Sequence, residues 1–195
     1  MNHLLRDCFK AKEVWFAIVG RHWYLNMCSK PWKDWIICRL KLNTDGCRRM
    51  GGEGGFGGLI RDERGTWVCG YYGKLHSGTS LEAELWAIYK GLTVILQKGM
   101  NNVTIETECE QAMKLLKEEP NAKCPFKGLV EDAHIIMRGC ECTVQRVYKE
   151  GNLCADALAK FGATQPKEIL VVNEPPAGIK EFLVADMIGM SCERA

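Results

Sequence analysis

Apolar residues recur along this chain with two different periods, and the period identifies the elements. Residues 4–19 carry apolar side chains at helical spacing and predict an amphipathic helix. Over residues 40–75 short alternating or apolar runs are separated by glycine-rich and charged turns, which predicts three antiparallel strands. The later elements predicted in the same way are a helix from Thr79 to Gly99, a strand Val103–Thr107, helices Gln111–Glu118 and Phe126–Arg138, a strand Cys142–Tyr148 and a helix from Asn152 to Phe161.

The order of these elements, βββ-α-β-α-α-β-α, predicts an α/β fold in which a mixed five-stranded sheet carries helices on its faces. The predicted domain spans residues 40–165. Residues 1–39 hold four of the six tryptophans and are predicted to be a separate segment that must pack on something else. Residues 166–195 contain Pro175-Pro176 and predict an extended, loosely packed tail with one late helical turn.

Composition narrows the class of protein. An apolar share of 47% is ordinary for a globular chain, and a net charge of +2 is too small to identify a nucleic-acid partner by itself. The 11 cysteines are odd in number and follow no secretory signal, which predicts free thiols in an intracellular compartment, nucleus or cytoplasm. The uncharged run Val14–Gly20 is too short to span a membrane, and we expect a monomer.

A candidate site can be assembled around Asp45. Polar and apolar side chains alternate over Lys41–Asp45 and Gly46 interrupts the run, so the first strand is predicted to end at Asp45. Because sites in open sheets form beyond the ends of adjacent parallel strands, Asp45 and Glu108 are expected side by side. The acidic residues at the edges of later elements are Glu84 in the first long helix, Glu108 after the strand Val103–Thr107 and Asp156 in the last helix.

Each of these carboxylates also has an ordinary structural explanation. Asp45 precedes a turn, as Asp residues commonly do, and Glu84 could be a solvated helix residue. Glu108 and Asp156 could each favour the N-terminus of a helix. Four such residues in the order that the topology requires favour a shared site. Since a cluster of unpaired carboxylates repels itself unless cations neutralise it, the pattern predicts bound Mg²⁺.

Five motifs in this order resemble the ribonuclease H-like domains of plant retroelement-type (non-LTR) reverse transcriptase proteins. The resemblance covers roughly residues 40–165 and implies a sheet of three antiparallel strands followed by two parallel strands. The motifs are KLNTDG (41–46), GGLIRD (57–62), AELWAI (83–88), VTIETE (103–108) and VYKEGNLCADALAK (147–160).

The resemblance implies a metal-dependent nuclease. Asp45, Glu84 and Asp156 match three of the family's four metal-binding carboxylates, with Glu108 at the fourth position. It further implies two Mg²⁺ ions, with Mn²⁺ as the alternative, and cleavage of the RNA strand of an RNA–DNA hybrid. Recognition of the 2′-hydroxyl in the wide minor groove is expected from small polar and main-chain groups. The candidates for this contact are Asn43, Thr44 and Gly46.

Two departures from the family pattern bear on activity. Glu108 stands where the family usually has Asp, and one extra methylene moves the carboxylate by about a bond length where magnesium demands near-ideal octahedral geometry. Arg146 stands where family members often have His, and Arg cannot transfer protons.

The amino end has a second, weaker resemblance. His3 and Cys8 look like the last part of the zinc-binding segment that precedes this domain in retroelement proteins. They supply two ligands whereas tetrahedral zinc takes four, so no complete zinc site is expected.

Two alternatives to a nuclease stay open: a nucleic-acid-binding module that keeps the fold with a degraded site, and a remnant without function.

Overall fold

The protein is built from six strands and five helices in the part of the chain that its computed structural model describes, residues 39–49, 53–76, 78–119 and 124–188 with residue 13. Two short 3₁₀ turns, Lys149–Gly151 and Ala177–Ile179, each lead into a helix. The strands are β1 Leu40–Arg48, β2 Gly54–Asp62, β3 Trp67–Leu75, β4 Val103–Thr107, β5 Thr143–Arg146 and β6 Leu170–Val172. The helices are α1 Ser80–Gln97, α2 Glu110–Lys117, α3 Lys127–Gly139, α4 Leu153–Thr164 and α5 Lys180–Ile188.

The strands form one mixed sheet in the order β5-β4-β1-β2-β3-β6. Strands β1, β2 and β3 are antiparallel neighbours, and β4 and β5 continue the sheet beyond β1 as parallel strands. The predicted α/β class and the arrangement of three antiparallel and two parallel strands are confirmed. The sixth strand, β6, was not predicted and extends the opposite edge by pairing with β3.

Helix α1 covers one face of the sheet. Thr79 caps it as predicted, because the Thr79 hydroxyl accepts a hydrogen bond from the Glu82 backbone N–H at 3.1 Å. The predicted apolar stripe of this helix is buried against β1 and β2, with Ile88, Leu92 and Ile95 fully inaccessible to solvent. This burial fixes where the first turn of α1 lies relative to β1.

Helix α4 packs on the other face of the sheet. Its contact with β2 is close, since a Cβ atom added at Gly57 would lie 2.5 Å from the backbone nitrogen of Ala159. Leu59 of β2 and Leu158 of α4 are fully buried in this second core. The lack of a side chain at Gly57 therefore lets the α4 backbone pack directly on the sheet.

The tail is packed more tightly than expected. Val171 of β6 pairs with Tyr71 of β3, and Ile179 and Leu183 are buried beside Leu158 of α4. The prediction of a loosely packed tail is thus wrong for residues 170–183, because their apolar side chains cover α4. The domain boundaries at residues 39 and 165 stay predictions.

Several predictions fall outside the described residues. The helix over residues 4–19, the tryptophan-rich segment, and His3 with Cys8 belong to this group. Within the described ranges every cysteine is a free thiol, as predicted there. No helix in those ranges combines the length and apolar character needed to cross a membrane.

Candidate active site

Asp45 and Glu108 each come directly after the last paired residues of two neighbouring parallel strands, β1 and β4. The last paired residues of β1 and β4 are Thr44 and Thr107, and the two acids are the next residue on each strand. The expectation that they lie side by side agrees with this register. The predicted end of the first strand at Asp45 is wrong, because β1 continues past Gly46 and pairs with β2 as far as Arg48.

Gly46 brings the start of α1 against β1. A Cβ atom at this position would lie 2.5 Å from the backbone nitrogen of Glu84, so only a glycine allows the approach. The Gly46 backbone N–H also donates to the carboxylates of Asp45 and Glu84. The close contact at Gly46 therefore brings together Asp45 and Glu84, which are far apart in sequence.

Asp45 and Glu84 are hydrogen-bonded to each other through their side chains. Two carboxyl groups can share such a bond only when one of them carries a proton. Burial, with the charges of Asp156 and Glu108, raises the pKa of Asp45 to about 7. Burial, with the charge of Asp45, raises the pKa of Glu84 to about 9. The pair thus holds a proton at neutral pH and titrates as a unit.

One oxygen of this pair has no partner. Glu84 Oε2 is buried and makes no hydrogen bond within the described structure. Most buried side-chain oxygens in proteins are hydrogen-bonded, and an unsatisfied one costs about 1–3 kcal/mol. Such an oxygen, aimed into a cluster of acids, suits a hard cation that takes oxygen ligands.

Glu108 and Asp156 complete the cluster. Burial raises the pKa of Glu108, and the negative charge of Asp156 acts in the same direction. The Asn152 side chain offsets part of this by donating a hydrogen bond to Glu108. Asp156 lies in the first turn of α4, where Lys160 approaches its Oδ2 atom at 2.6 Å. All four predicted acids therefore act on one another electrostatically.

The side chains do not stand in a ligand geometry. Among the described residues, no three His, Cys, Asp or Glu side chains are placed so that they could hold one metal ion. Two contacts explain this arrangement. The side chains of Asp45 and Glu84 are hydrogen-bonded to each other, and Lys160 forms an ion pair with Asp156.

The side chains of Asn43 and Thr44 are fully buried. Their contact with nucleic acid stays a prediction. The start of α4 covers them: Asn43 Nδ2 lies 3.2 Å from Asn152 Oδ1, and Asn152 Nδ2 donates to the Thr44 carbonyl at 3.0 Å. Asn152 thereby ties α4 to β1 and makes no side-chain capping bond to its own helix.

Glu106 is a buried acid that sequence reasoning did not select. It is 4% exposed and lies next to Asn43 and Gln145 in the register of β1, β4 and β5. The hydrogen bonds from its neighbours and the charge of Lys41 outweigh burial and lower the pKa of Glu106. Its donors are Lys41 Nζ at 2.8 Å, Gln145 Nε2 at 2.9 Å and Asn43 Nδ2 at 3.0 Å.

The same network reaches the segment before α4. Arg61 donates from Nε to Asn43 Oδ1 at 2.9 Å and from a terminal nitrogen to the Gly151 carbonyl at 3.1 Å. Polar residues at alternate positions of three adjacent strands were the available signal for this cluster. Its effect is to fix the chain that leads into α4, on which Asp156 lies.

Comparison with known proteins identifies the kind of domain that contains this site. A model of the reverse transcriptase-like family matches residues 43–162, more than half of the chain, including all four acids. A curated relative from Arabidopsis thaliana, whose name describes it as a ribonuclease H protein, is 27% identical over 165 residues. This match covers 84% of the chain and 27% of the relative, so the chain spans a minor part of the relative's length.

Solved structures with the same fold are ribonuclease H domains. The N-terminal RNase H domain of rv2228c from Mycobacterium tuberculosis has a TM-score of 0.59 at 18% identity, over 65% of this chain and 94% of that one. RNase H1 from Halobacterium salinarum has a TM-score of 0.58 at 20% identity, over 64% and 96%. LC11-RNase H1, solved with an RNA/DNA hybrid, has a TM-score of 0.57 at 21% identity, over 64% and 96%. The predicted ribonuclease H fold is confirmed.

Proposed function

This chain belongs to the reverse transcriptase-like family, and on that premise we propose that it binds nucleic acid and hydrolyses the RNA strand of RNA–DNA hybrids as an endonuclease. The fold supports the proposal, as does the position of Asp45 and Glu108 next to the last paired residues of two parallel strands, with Glu84 of α1 and Asp156 of α4 acting on them electrostatically. The name of the Arabidopsis relative agrees with it.

The observation that carries the proposal is the buried Glu84 Oε2 atom, which has no hydrogen-bond partner although it belongs to a carboxyl group beside Asp45. The buried and mutually repelling acids raise each other's pKa, and Glu84 Oε2 has no hydrogen bond. Perturbed carboxylates of this kind cluster at functional sites because an arrangement that costs stability is retained for chemistry. A purely structural pair would be expected to satisfy both oxygens.

Asp45, Glu84, Glu108 and Asp156 would hold the divalent cations, which are two Mg²⁺ ions or Mn²⁺ in their place. When bound, such ions lower the pKa of a nucleophilic water and stabilise the leaving oxygen of an in-line displacement. The chain's own groups offset the charge of the cluster: the side chains of Asp45 and Glu84 are hydrogen-bonded to each other, and Lys160 forms an ion pair with Asp156 at 2.6 Å.

Cleavage of a labelled RNA–DNA hybrid tests this proposal. The wild-type chain with Mg²⁺ is expected to cut the RNA strand and to leave the DNA strand intact, and Asp45→Asn is expected to lose the activity. Asp132→Asn, an exposed Asp on α3, is the matched control and keeps it. Equal cutting by the wild type and Asp45→Asn, or no cutting by either, would refute the proposal.

A second candidate function has support from two observations. Glu108 replaces the shorter Asp, and no three acids of the described chain are set up for a cation. A domain that binds nucleic acid with a weakened or inactive site would combine these features with the same fold. Salt-sensitive hybrid binding without Mg²⁺-dependent cutting identifies this function in the same experiment.

A further inference from the structure

A large aromatic side chain is exposed at the rim of the acidic cluster. Tyr148 is 76% exposed, more than any other exposed large hydrophobic residue of the described chain. It lies two residues after the end of β5, which is Arg146. The guanidinium carbon of Arg146 is 5.8 Å from the centre of the Tyr148 ring. The ring and the cation therefore form one exposed surface, which we call the Arg146–Tyr148 pair.

The main chain fixes this pair close to the site. The Val147 backbone N–H donates to the Thr107 carbonyl at 3.1 Å, and Thr107 is the residue before Glu108. On the other side, Tyr148 leads into the 3₁₀ turn Lys149–Gly151 and then into α4, which carries Asp156. The pair thus lies between the segments that supply two of the four acids.

Arg146 is available to an external anion. Its ion-pair partner is Glu110 at 3.7 Å, and both side chains are about half exposed, at 52% and 50%. Exposed ion pairs at such a distance contribute little to stability, so the Arg146 guanidinium can exchange Glu110 for another anion. Glu110 would keep a cation if Arg146 moved, because Lys114 binds it at 2.8 Å.

The chemistry of the pair suits a nucleic-acid strand. Exposed aromatic rings pack against the sugars or unpaired bases of nucleic acids, and Arg guanidinium groups bind backbone phosphates. Residues 146–151 carry Arg146 and Lys149 against one acid, Glu150, so this segment is positive by one unit beside the acidic cluster.

We propose that Arg146 and Tyr148 bind the hybrid next to the acidic cluster, with Arg146 on a backbone phosphate and the Tyr148 ring packed against the adjoining sugar. The proposal rests on the proposed function for the identity of the ligand. It gives Arg146 a binding role at a position where the family resemblance suggested a proton-transfer residue.

Anisotropy of a fluorescent RNA–DNA hybrid, measured with the full chain in EDTA over a range of salt concentrations, tests the pair without cleavage. Tyr148→Ala is expected to weaken binding about tenfold. Tyr148→Phe keeps the ring and is expected to bind like the wild type. Arg146→Ala is expected to reduce the slope of log K against log salt by about 0.9, the value for one phosphate contact.

Arg138 provides the matched control. It is an exposed Arg at the end of α3, which precedes β5, whereas Arg146 ends that strand. Arg138→Ala is expected to leave both the affinity and the salt slope unchanged. A uniform loss in all three Ala variants would indicate non-specific charge and structure effects and would overturn the proposal.

The outcomes separate this proposal from the proposed function. Unchanged binding by Tyr148→Ala and Arg146→Ala overturns the role of the pair and leaves the nuclease function standing. Weakened binding in those variants, together with no cutting by the wild type, supports the pair and refutes the nuclease. Absence of any hybrid binding by the wild type overturns both.

Discussion

Glu84 shows how a residue can belong to a candidate site and lower the stability of the folded protein. Burial and the neighbouring Asp45 raise its pKa, so the folded protein holds a proton that the unfolded chain releases near its ordinary pKa. Unfolding therefore releases protons between the ordinary pKa of 4.5 and the folded value of about 9. Across that window the free energy of unfolding falls as pH rises.

Replacement of Glu84 by Gln should remove this dependence. The amide can still donate to Asp45 but carries no charge, so Glu84→Gln is expected to stabilise the protein on the order of 2 kcal/mol at about pH 8 and to change little at about pH 5. Thermal unfolding over this range measures the effect. Glu131→Gln is the control, because Glu131 is also the fifth residue of its helix but is 50% exposed.

An unchanged pH profile in Glu84→Gln would contradict the account of the buried pair. A profile that flattens equally in Glu131→Gln would assign the effect to helix charge in general. Only a difference between the two variants supports a special environment at Glu84.

Glu108 stands where the family resemblance predicts an Asp. Its longer side chain follows β4 directly, at the point where Asp45 follows the pairing of β1. Because magnesium requires a narrow range of ligand positions, Glu108→Asp is expected to raise the rate of hybrid cleavage about tenfold or more. Steady-state cleavage at saturating Mg²⁺ measures this. A rate that is unchanged or lower would show that Glu108 does not limit the reaction.

At the scale of elements, the close contact of β1 with α1 assembles the site. Gly46→Ala would force the start of α1 away from β1 and is expected to cost about 1–3 kcal/mol of stability. Gly128→Ala in α3 is the matched control, since no atom lies within 4 Å of its Cβ position. Urea unfolding of both variants measures the difference, and equal stabilities would contradict the argument from close packing.

Regular elements with strong local signals could be predicted from sequence. Helix α1 has a capping Thr79 and a complete apolar stripe, so its start and its buried face followed from local chemistry. The pairing of β1 with β4 could be anticipated because the connection through α1 allows parallel strands. The positions of Asp45 and Glu108 depended on these elements alone.

Other features depend on contacts between distant segments and could not be predicted. Asn43 and Thr44 alternate like any strand residues, and their burial is decided by Asn152 at the start of α4. Strand β6 has three residues and a weak pattern, and it is stabilised by pairing with β3. Local sequence contains no signal for either contact.

At the scale of the whole molecule, one apolar core packs on each face of the sheet. Helices α1 and α4, which cover these cores, also contribute Glu84 and Asp156 to the acidic cluster. The first core lies under α1 and the second under α4. The Glu106 network fixes the segment before α4, so Asp156 is carried by a rigid element. Four acids from separate parts of the chain are thus held together although they repel one another, which a cation would relieve.

The change in thermal stability on adding Mg²⁺ tests this central claim most directly. At about pH 8 a cation that binds only the folded chain should raise the Tm of the wild type by several degrees. Asp45→Asn should show no such shift, while Asp132→Asn should behave like the wild type. No Mg²⁺-dependent shift in the wild type, or the same shift in Asp45→Asn, would contradict a shared cation site.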